Sequence, residues 1–441
     1  MHPETRYAVS REAHIAYQVI GRGDVDLLFV PSFMSNIELG LEQPSIAAFA
    51  SRLAGIARLI QFDRRGNGMS DGAGSASTLE EQLDDVSAVL EAAGSSQPAM
   101  IAVNEGAALA LLFAATYPDR VRALVLMSPQ ARLVQGPGYE WALSVETRSA
   151  LVRAVLDNWG RDSPENPWLI FGGDDPQERA AMARYQRLAM GPGDAAATLR
   201  LAGDTDVRDV LGSIQCPTLV LRREHDAFID ERHSRYVAEH VPGARYTELS
   251  GGGQVWVGDP DEAVGEIADF LTGVRLPTPS ERVLATVLFT DIVGSTERAS
   301  ALGDARWRAL LERHDALLRR EVERHRGRVV KSLGDGALAL FDGPSRAIGC
   351  AQAVCGALPT IGLQARAGLH TGECELLADG DIGGMAVHIA ARIAALAGPD
   401  EVLASSTVRD LSVGSPFQLQ SRGRHALKGV ADDWQLFALR M

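Results

Sequence analysis

The sequence lacks most of the features that mark membrane, secreted and disulfide-rich proteins. None of its 441 residues lies in an apolar run close to the about 20 residues that span a bilayer. The first residues lack the basic and apolar regions of a secretory signal. Cys216, Cys350, Cys355 and Cys374 are scattered without CxxC spacing, which argues against a zinc site or a disulfide framework. We therefore expect a cytoplasmic protein without a transmembrane segment.

Positive charge is also scarce. Lys and Arg number 43 against 57 Asp and Glu, which gives a net charge of −14. This balance disfavours nonspecific binding to nucleic acid or to an anionic membrane, but it leaves room for a local basic pocket that binds phosphate. With 46% hydrophobic and 23% charged residues, the composition is that of a soluble globular protein. The length predicts two large domains.

Residues 1–272 alternate short apolar runs with helical patterns. Near-continuous apolar strands between helices are typical of a parallel sheet that is covered on both faces. Within this α/β domain, residues from about 130 to 210 change to helices broken by Gly, Pro and Asp, which predicts a helical cap. Two prolines near residues 273–280 predict a linker. The predicted strands lie at 26–32, 57–63, 98–104, 121–128 and 216–222.

Beyond the linker, residues 281–441 form a second pattern that predicts an α+β domain. A strand and a long helical region come first. A hairpin follows, with Gly334, Asp335 and Gly336 at its turn. Residues 363–378 predict a strand pair, and a further helix ends at Gly398.

Two aspartates in this domain suggest a metal site. In LFTDIVGST, Asp291 lies where a strand ends and a glycine turn leads into a helix, so nearby backbone N–H groups could meet phosphate oxygens. Asp335 lies in the glycine-flanked hairpin turn of KSLGDG. Taken singly, the first could be a helix cap and the second a turn former. Together, two carboxylates on adjacent β elements can share hard cations such as Mg²⁺.

This combination resembles the catalytic domain of class III nucleotidyl cyclases, the adenylate and guanylate cyclases, over residues 281–441. The resemblance implies that ATP is converted to 3′,5′-cyclic AMP and pyrophosphate. It implies two Mg²⁺ or Mn²⁺ ions per site, bound by Asp291, Asp335 and the carbonyl of Ile292. It also implies a homodimer with two sites, because the family builds each site between two cyclase domains.

The resemblance also assigns residues that bind the nucleotide. Lys331 would donate to a purine ring nitrogen, and Asp381 would accept from the exocyclic amine, which favours adenine over guanine. Lys428 in HALKGV would contact the triphosphate. A structural ion pair and an ordinary loop lysine are the alternative interpretations.

His388 and Arg392 are spaced i,i+4 and so share one helix face, where a common anion could bind. Arg392 matches the family's phosphate-binding arginine. His388 departs from the family, which usually has an asparagine that is assigned to transition-state stabilisation. The resemblance implies that one subunit contributes the two aspartates and that the other contributes Lys331, Asp381, His388 and Arg392. Two solvated residues on an exposed face are the alternative.

Residues 1–272 resemble the α/β-hydrolase fold, including its strand–turn–helix elbow at Ala102–Gly106. Asn104 takes the nucleophile position and has no hydroxyl. Asp226 matches the acid, but Gln254 stands where the histidine belongs, and a carboxamide is no general base near neutral pH. Ser32 is placed near the oxyanion position. Histidines that could rescue the base role are His225, His233 and His240.

The resulting expectation is an adenylate cyclase with a degenerate hydrolase-like domain, which is either an inert scaffold or a sensor for a small apolar ligand. Two alternatives stay open. One is a signal-binding protein with weak or vestigial cyclase activity, and the other is a surviving serine-type hydrolase.

Overall fold

The computed structural model describes residues 3–72, 77–172, 176–226, 228–255, 260–273, 282–332, 334–377, 380–430 and 433–440. The chain divides into two units, Met1–Pro279 and Ser280–Met441. Apart from Gly273, the predicted linker at 273–280 lies outside the described residues. No helix in the described part of the chain combines the length and the apolar character needed to cross a bilayer.

The first unit is built on an eight-stranded sheet in the order β1-β2-β4-β3-β5-β6-β7-β8. Each of the five apolar runs forms a strand, and these five strands pair in parallel as predicted. β8 continues the parallel part, whereas β1 and β2 add an antiparallel edge. The strands are β1 Arg6–Ser10, β2 Ala13–Ile20, β3 Asp26–Val30, β4 Arg58–Phe62, β5 Ala99–Val103, β6 Ala123–Met127, β7 Thr218–His225 and β8 Arg245–Gly252.

The helices of this unit follow from local sequence signals. Thr78 and Glu81 form a capping box that starts α3. Every residue of α4 is buried, as its Ala- and Leu-rich sequence predicts. α5, α6 and α7 fall within the region predicted to be a cap. The helices are α1 Ile37–Gly40, α2 Pro44–Ile56, α3 Leu79–Ala92, α4 Gly106–Thr116, α5 Val145–Asn158, α6 Pro176–Ala189, α7 Pro192–Asp204, α8 Glu231–His240 and α9 Asp261–Gly273.

The second unit contains a sheet in the order β10-β11-β9-β12-β14-β16-β15, with β13 paired to β12. The predicted hairpin is β10 and β11, and β11 pairs in turn with the long first strand β9. The strands are β9 Arg282–Ile292, β10 Arg328–Ser332, β11 Gly336–Phe341, β12 Ala365–Leu376, β13 Ile382–Gly383, β14 Val402–Ser405, β15 Leu419–Ala426 and β16 Asp433–Leu439.

The helices of the second unit cover the sheet. The predicted long helical region is two helices, because Gly303 has a φ of 74° and interrupts them. The buried side chains of α12 pack in the core with β9, β11 and β12. The helices are α10 Ser295–Leu302, α11 Asp304–Arg324, α12 Pro344–Ala357, α13 Met385–Leu396 and α14 Ser406–Leu411.

The strand pair predicted for residues 363–378 is wrong, since β12 is one continuous strand. Gly368, inside this strand, allows close packing of a helix. A Cβ at Gly368 would lie 2.1 Å from the backbone nitrogen of Ala394. The glycine therefore lets α13 pack directly on the strand.

Candidate active site

Strand pairing brings the two predicted metal-binding aspartates together. Asp291 is the penultimate residue of β9, and Gly336, the first residue of β11, lies directly opposite it. The backbone N–H of Ile292 donates to the carbonyl oxygen of Asp335 at 2.9 Å. A Cβ at Gly336 would lie 2.2 Å from the carbonyl oxygen of Thr290, so this position in the GDG turn requires glycine.

Each carboxylate has a donor beside it. Arg366, directly opposite Asp291 on β12, donates to one oxygen of Asp291 from Nε at 2.9 Å and from Nη2 at 2.5 Å. Ser295, the first residue of α10, donates from its hydroxyl to Asp335. The sequence analysis did not identify Arg366, because a single arginine in a strand shows its partner only once the strand register is known.

The chain turns from β9 into α10 just after Asp291. Gly294 has a φ of 67°, which permits this abrupt turn. The N-terminus of α10 therefore lies beside the carboxylates, and the free N–H groups of a helix N-terminus attract phosphate. The local structure thus combines acidic groups with a site for anions.

The donor set fits a hard divalent cation. The side chains of Asp291 and Asp335 and the carbonyl of Ile292 offer oxygen ligands, which Mg²⁺ and Mn²⁺ prefer. Among the described residues, no cluster of three or more acidic, histidine or cysteine side chains could hold a metal ion by itself. Three protein oxygens would leave further coordination positions of a hard cation for water or phosphate.

Lys331 and Asp381 form the second part of the site. The Lys331 amine lies 2.9 Å from one oxygen of Asp381, and the other oxygen accepts the backbone N–H of Ile382 at 2.9 Å. The hydrogen bond from Lys331 lowers the pKa of the Asp381 carboxyl. Lys331 keeps 56% of its side chain exposed.

The strand register shows how these two parts of the site are related. Arg366, near the start of β12, lies opposite Asp291. Leu376, the last residue of β12, lies opposite Ile382, the neighbour of Asp381. Lys331, however, precedes Asp335 by only four residues, so their Cα atoms are at most about 14 Å apart. Lys331 also lies opposite Leu338, which pairs with Phe289, two residues before Asp291.

Helix α13 presents His388 and Arg392 on its exposed side. Ala390 and Ala394 are on the buried side, which packs on the sheet. Within the described ranges, neither His388 nor Arg392 forms a hydrogen bond or an ion pair. The structure thus confirms their shared face but does not bring them to the aspartates of their own chain. This exposed side of α13, called the exposed stripe below, also includes Met385, 57% exposed, and Leu396, 44% exposed.

Lys428 is the most isolated of the predicted site residues. It is exposed in the turn between β15 and β16, at the edge of the sheet opposite to β10. The structure does not connect it with either part of the site.

In the first unit, the elbow has the backbone of a nucleophile turn. Asn104 follows β5 with a φ of 49° and precedes α4. Its N–H donates to the carbonyl oxygen of Met127 at 3.0 Å, and its carbonyl accepts from Ala107 at 3.2 Å. The strained backbone is therefore present, but it carries a carboxamide in place of a hydroxyl.

The residues at the acid and base positions of the hydrolase fold also contact each other. Gln254 donates from Nε2 to Asp226 at 3.4 Å, and the hydroxyl of Ser128 donates to the other oxygen at 2.8 Å. The carboxamide of Gln254 thus occupies the place beside Asp226 where the fold would put histidine.

The three histidines considered as replacements have other surroundings. His233 lies 2.8 Å from the hydroxyl of Tyr139, and burial lowers its pKa to about 4. His240 bonds the carbonyl of Tyr236, and His225 is exposed at the end of β7. None of them hydrogen-bonds Asp226 among the described residues.

Glu105, which the sequence analysis did not single out, fills the oxyanion region. One oxygen of its side chain accepts from the Ser32 hydroxyl at 2.7 Å and from the backbone N–H of Phe33. In the hydrolase fold, an N–H from the loop that corresponds to the segment after β3 helps to bind the oxyanion. Here the Phe33 amide in that loop is already bonded to the Glu105 carboxylate. Ser32 lies beside this amide, in the region where it was expected.

Comparison with known proteins identifies both units. The alpha/beta hydrolase fold family matches residues 27–255, and the adenylate and guanylate cyclase catalytic domain family matches residues 279–440. The uncharacterized protein Rv2212 of Mycobacterium tuberculosis is 30% identical over 223 residues, which cover 50% of this chain and 54% of that protein. The chain thus spans about half the length of that relative.

Two solved structures are similar to the separate units. A bromoperoxidase from Bacillus anthracis covers 61% of this chain and is itself covered completely, with 18% identity and a TM-score of 0.52. This likeness shows the fold of the first unit. The adenylyl cyclase CyaB from P. aeruginosa covers 37% of this chain and is covered to 97%, with 21% identity and a TM-score of 0.35.

Proposed function

Because the chain belongs to the α/β-hydrolase fold family in its first unit and carries a class III nucleotide cyclase domain in its second, we propose that it makes 3′,5′-cyclic AMP and pyrophosphate from ATP. The cyclase domain accounts for a nucleotide substrate. The observation that carries the choice of ATP is the contact between Lys331 and Asp381, whose amine and carboxylate lie 2.9 Å apart.

This pair presents a donor beside an acceptor, which matches one edge of adenine. The Lys331 amine can donate to a ring nitrogen, while Asp381 accepts from the exocyclic amine. Guanine carries a carbonyl oxygen at the corresponding position, and that oxygen would face a carboxylate without a proton between them. The lowered pKa of Asp381 keeps this carboxyl ionised at neutral pH, so the mismatch with guanine persists.

Asp291, Asp335 and the Ile292 carbonyl would hold two Mg²⁺ or Mn²⁺ ions. These ions, when bound, supply the positive charge that activates the ribose 3′-hydroxyl and stabilises the leaving pyrophosphate. Arg366, now bonded to Asp291, has a guanidinium that suits phosphate oxygens equally well. We expect it to exchange the carboxylate for the triphosphate when the nucleotide binds.

We further propose that each site is shared by two copies of the chain. His388 and Arg392 lie on the side of α13 that faces away from the sheet that carries Asp291. One chain would therefore offer the aspartates to one nucleotide and His388 and Arg392 to another. A symmetric homodimer would complete two such sites, because each contact occurs twice in an isologous interface.

The test of the ATP assignment compares kcat/KM for ATP and GTP with Mn²⁺ or Mg²⁺. An unpaired polar group in a binding site costs about 1–3 kcal/mol, so wild type should prefer ATP by about tenfold or more. Asp381→Asn should reduce that preference, because an amide can donate to the guanine carbonyl. Asp304→Asn, on the exposed start of α11, is the matched control and should keep it. Equal kcat/KM for both nucleotides in wild type would contradict the assignment.

For the first unit, we propose a sensor domain without hydrolase activity. Asn104 lacks a nucleophilic atom, Gln254 lacks a basic one, and Glu105 occupies an oxyanion amide. We expect no turnover of short p-nitrophenyl esters above the uncatalysed rate. Covalent labelling at the elbow by a fluorophosphonate would show a nucleophile and refute this proposal.

A further inference from the structure

A cavity of about 470 Å³ lies in the first unit, between the elbow and the cap. Asn104 and Glu105 line it on the side of the sheet, and Trp141, Trp168 and Met182 line it from the segments that follow β6. Ligand pockets of about 300–1,000 Å³ hold drug-sized molecules. The cavity is therefore large enough for a ligand and not merely for water.

The lining of this cavity is mostly apolar, and its charged groups are acidic. No lysine or arginine is among the described residues that line it, whereas Glu105 and Asp230 are. Asp230 is ion-paired with Arg232 at 2.6 Å, and the hydrogen bonds from Arg232 lower its pKa to about 2. An anionic ligand would meet two carboxylates and no cation, so a neutral ligand is favoured.

Two buried polar atoms on lining residues have no partner in the described part of the chain. They are Oδ1 of Asn104, an acceptor on a residue only 7% exposed, and Nε1 of Trp141, a donor. Buried polar groups are nearly always paired, and leaving one unpaired costs free energy. A ligand that carries a hydrogen-bond donor would relieve part of this cost at Asn104.

The oxyanion region disfavours one further class of ligand. Glu105 occupies the backbone N–H of Phe33, so the carbonyl oxygen of an ester or acid loses one of the two amide donors of the oxyanion hole. We propose that this cavity is a non-covalent binding site for a neutral, largely apolar molecule of drug size that carries a hydrogen-bond donor. This proposal is independent of the cyclase assignment, because every residue it uses lies in the first unit.

The test uses three fluorescent probes with the same two aromatic ring systems, titrated into the full-length protein. N-phenyl-1-naphthylamine is neutral and carries one N–H donor. 8-Anilinonaphthalene-1-sulfonate adds an anionic group, and N-methyl-N-phenyl-1-naphthylamine removes the donor. We expect the first probe to bind one per chain, the sulfonate to bind at least about tenfold more weakly, and the N-methyl probe about fivefold more weakly. A sulfonate that binds as tightly as the neutral probe would overturn the proposal.

A variant shows whether the probe binds in this cavity. Ala202 lines the cavity, so Ala202→Trp should fill it and abolish binding of N-phenyl-1-naphthylamine. Ala180→Trp places the same side chain on the exposed face of α6 and should bind like wild type. If Ala202→Trp does not fold, Ala202→Leu should still weaken binding severalfold. Unchanged affinity in a folded Ala202 variant, or no binding to wild type, would refute the site.

Discussion

His388 shares the exposed stripe of α13 with Arg392, in the position where the cyclase family usually has asparagine. An amide offers two N–H donors and an acceptor in a short side chain, whereas a neutral imidazole offers one donor on a larger ring. In the proposed role, one donor toward the developing negative charge is thus retained, but its alignment changes.

We expect His388→Asn to raise kcat. Loss of one preorganised donor costs about 10²–10³ in rate in a hydrolase, and the effect should be smaller here because one donor remains. The measurement is a pH–rate series under saturating ATP and metal, with His388→Ala beside it. If both variants match wild type at every pH, His388 has no role in the reaction.

Single residues also show what the sequence could and could not predict about the site. Asp291 and Asp335 were predicted because they lie in motifs with fixed spacing. Arg366 and Glu105 were not, since each acts on a residue that only the folded chain brings near: Asp291 across a strand pair, and the Phe33 amide across two loops. Contacts of this kind depend on strand register and loop path, which local patterns do not encode.

At the scale of elements, the contact between β12 and α13 organises the second unit. Gly368 lets the helix approach the strand, and the helix then presents His388 and Arg392 on its far side. The sequence pattern predicted a strand pair for residues 363–378, whereas β12 runs through Gly368 without a break. Glycine serves both tight turns and close packing, and periodicity alone does not distinguish these uses.

The parallel strands of the first unit were predictable because their sequence pattern has a clear structural meaning. Strands such as β5 and β6 are buried on both faces and read as continuous apolar runs. The edge strand β1 alternates exposed and buried residues over only five positions, which is a weak signal. The centre of the sheet was therefore predictable from its apolar runs, whereas the short edge strand was not detected.

We expect Gly368→Ala to destabilise the second unit. Its Cβ would lie 2.1 Å from the backbone nitrogen of Ala394, and overpacking of this kind costs about 1–3 kcal/mol. Gly356→Ala is the matched control, because Gly356 lies in α12 with no atom near its Cβ position. That control should gain about 0.5–1 kcal/mol from helix propensity. Calorimetry of the full chain measures both, and equal transition temperatures for the two variants would contradict the packing role of Gly368.

At the scale of the whole molecule, the proposed shared site requires a second copy of the chain. The exposed stripe of α13 includes Met385 and Leu396, apolar side chains that a partner surface would cover. His388 and Arg392 lie on the side of α13 that faces away from the sheet, so one chain does not bring them to its own Asp291 and Asp335. Motif spacing suggested the parts of the proposed site, and the outward face of α13 supports their division between two subunits.

The most direct test of this claim is complementation between two inactive variants. Asp291→Ala removes a metal ligand, and Arg392→Ala removes a phosphate ligand, so each homodimer should be inactive. A mixture should form heterodimers that contain one intact site, and random pairing predicts about a quarter of the wild-type activity. Mixing Asp291→Ala with Asp335→Ala should restore nothing, because both changes affect the same half of the site. If the Asp291→Ala and Arg392→Ala mixture stays inactive although heterodimers form, the shared site is wrong.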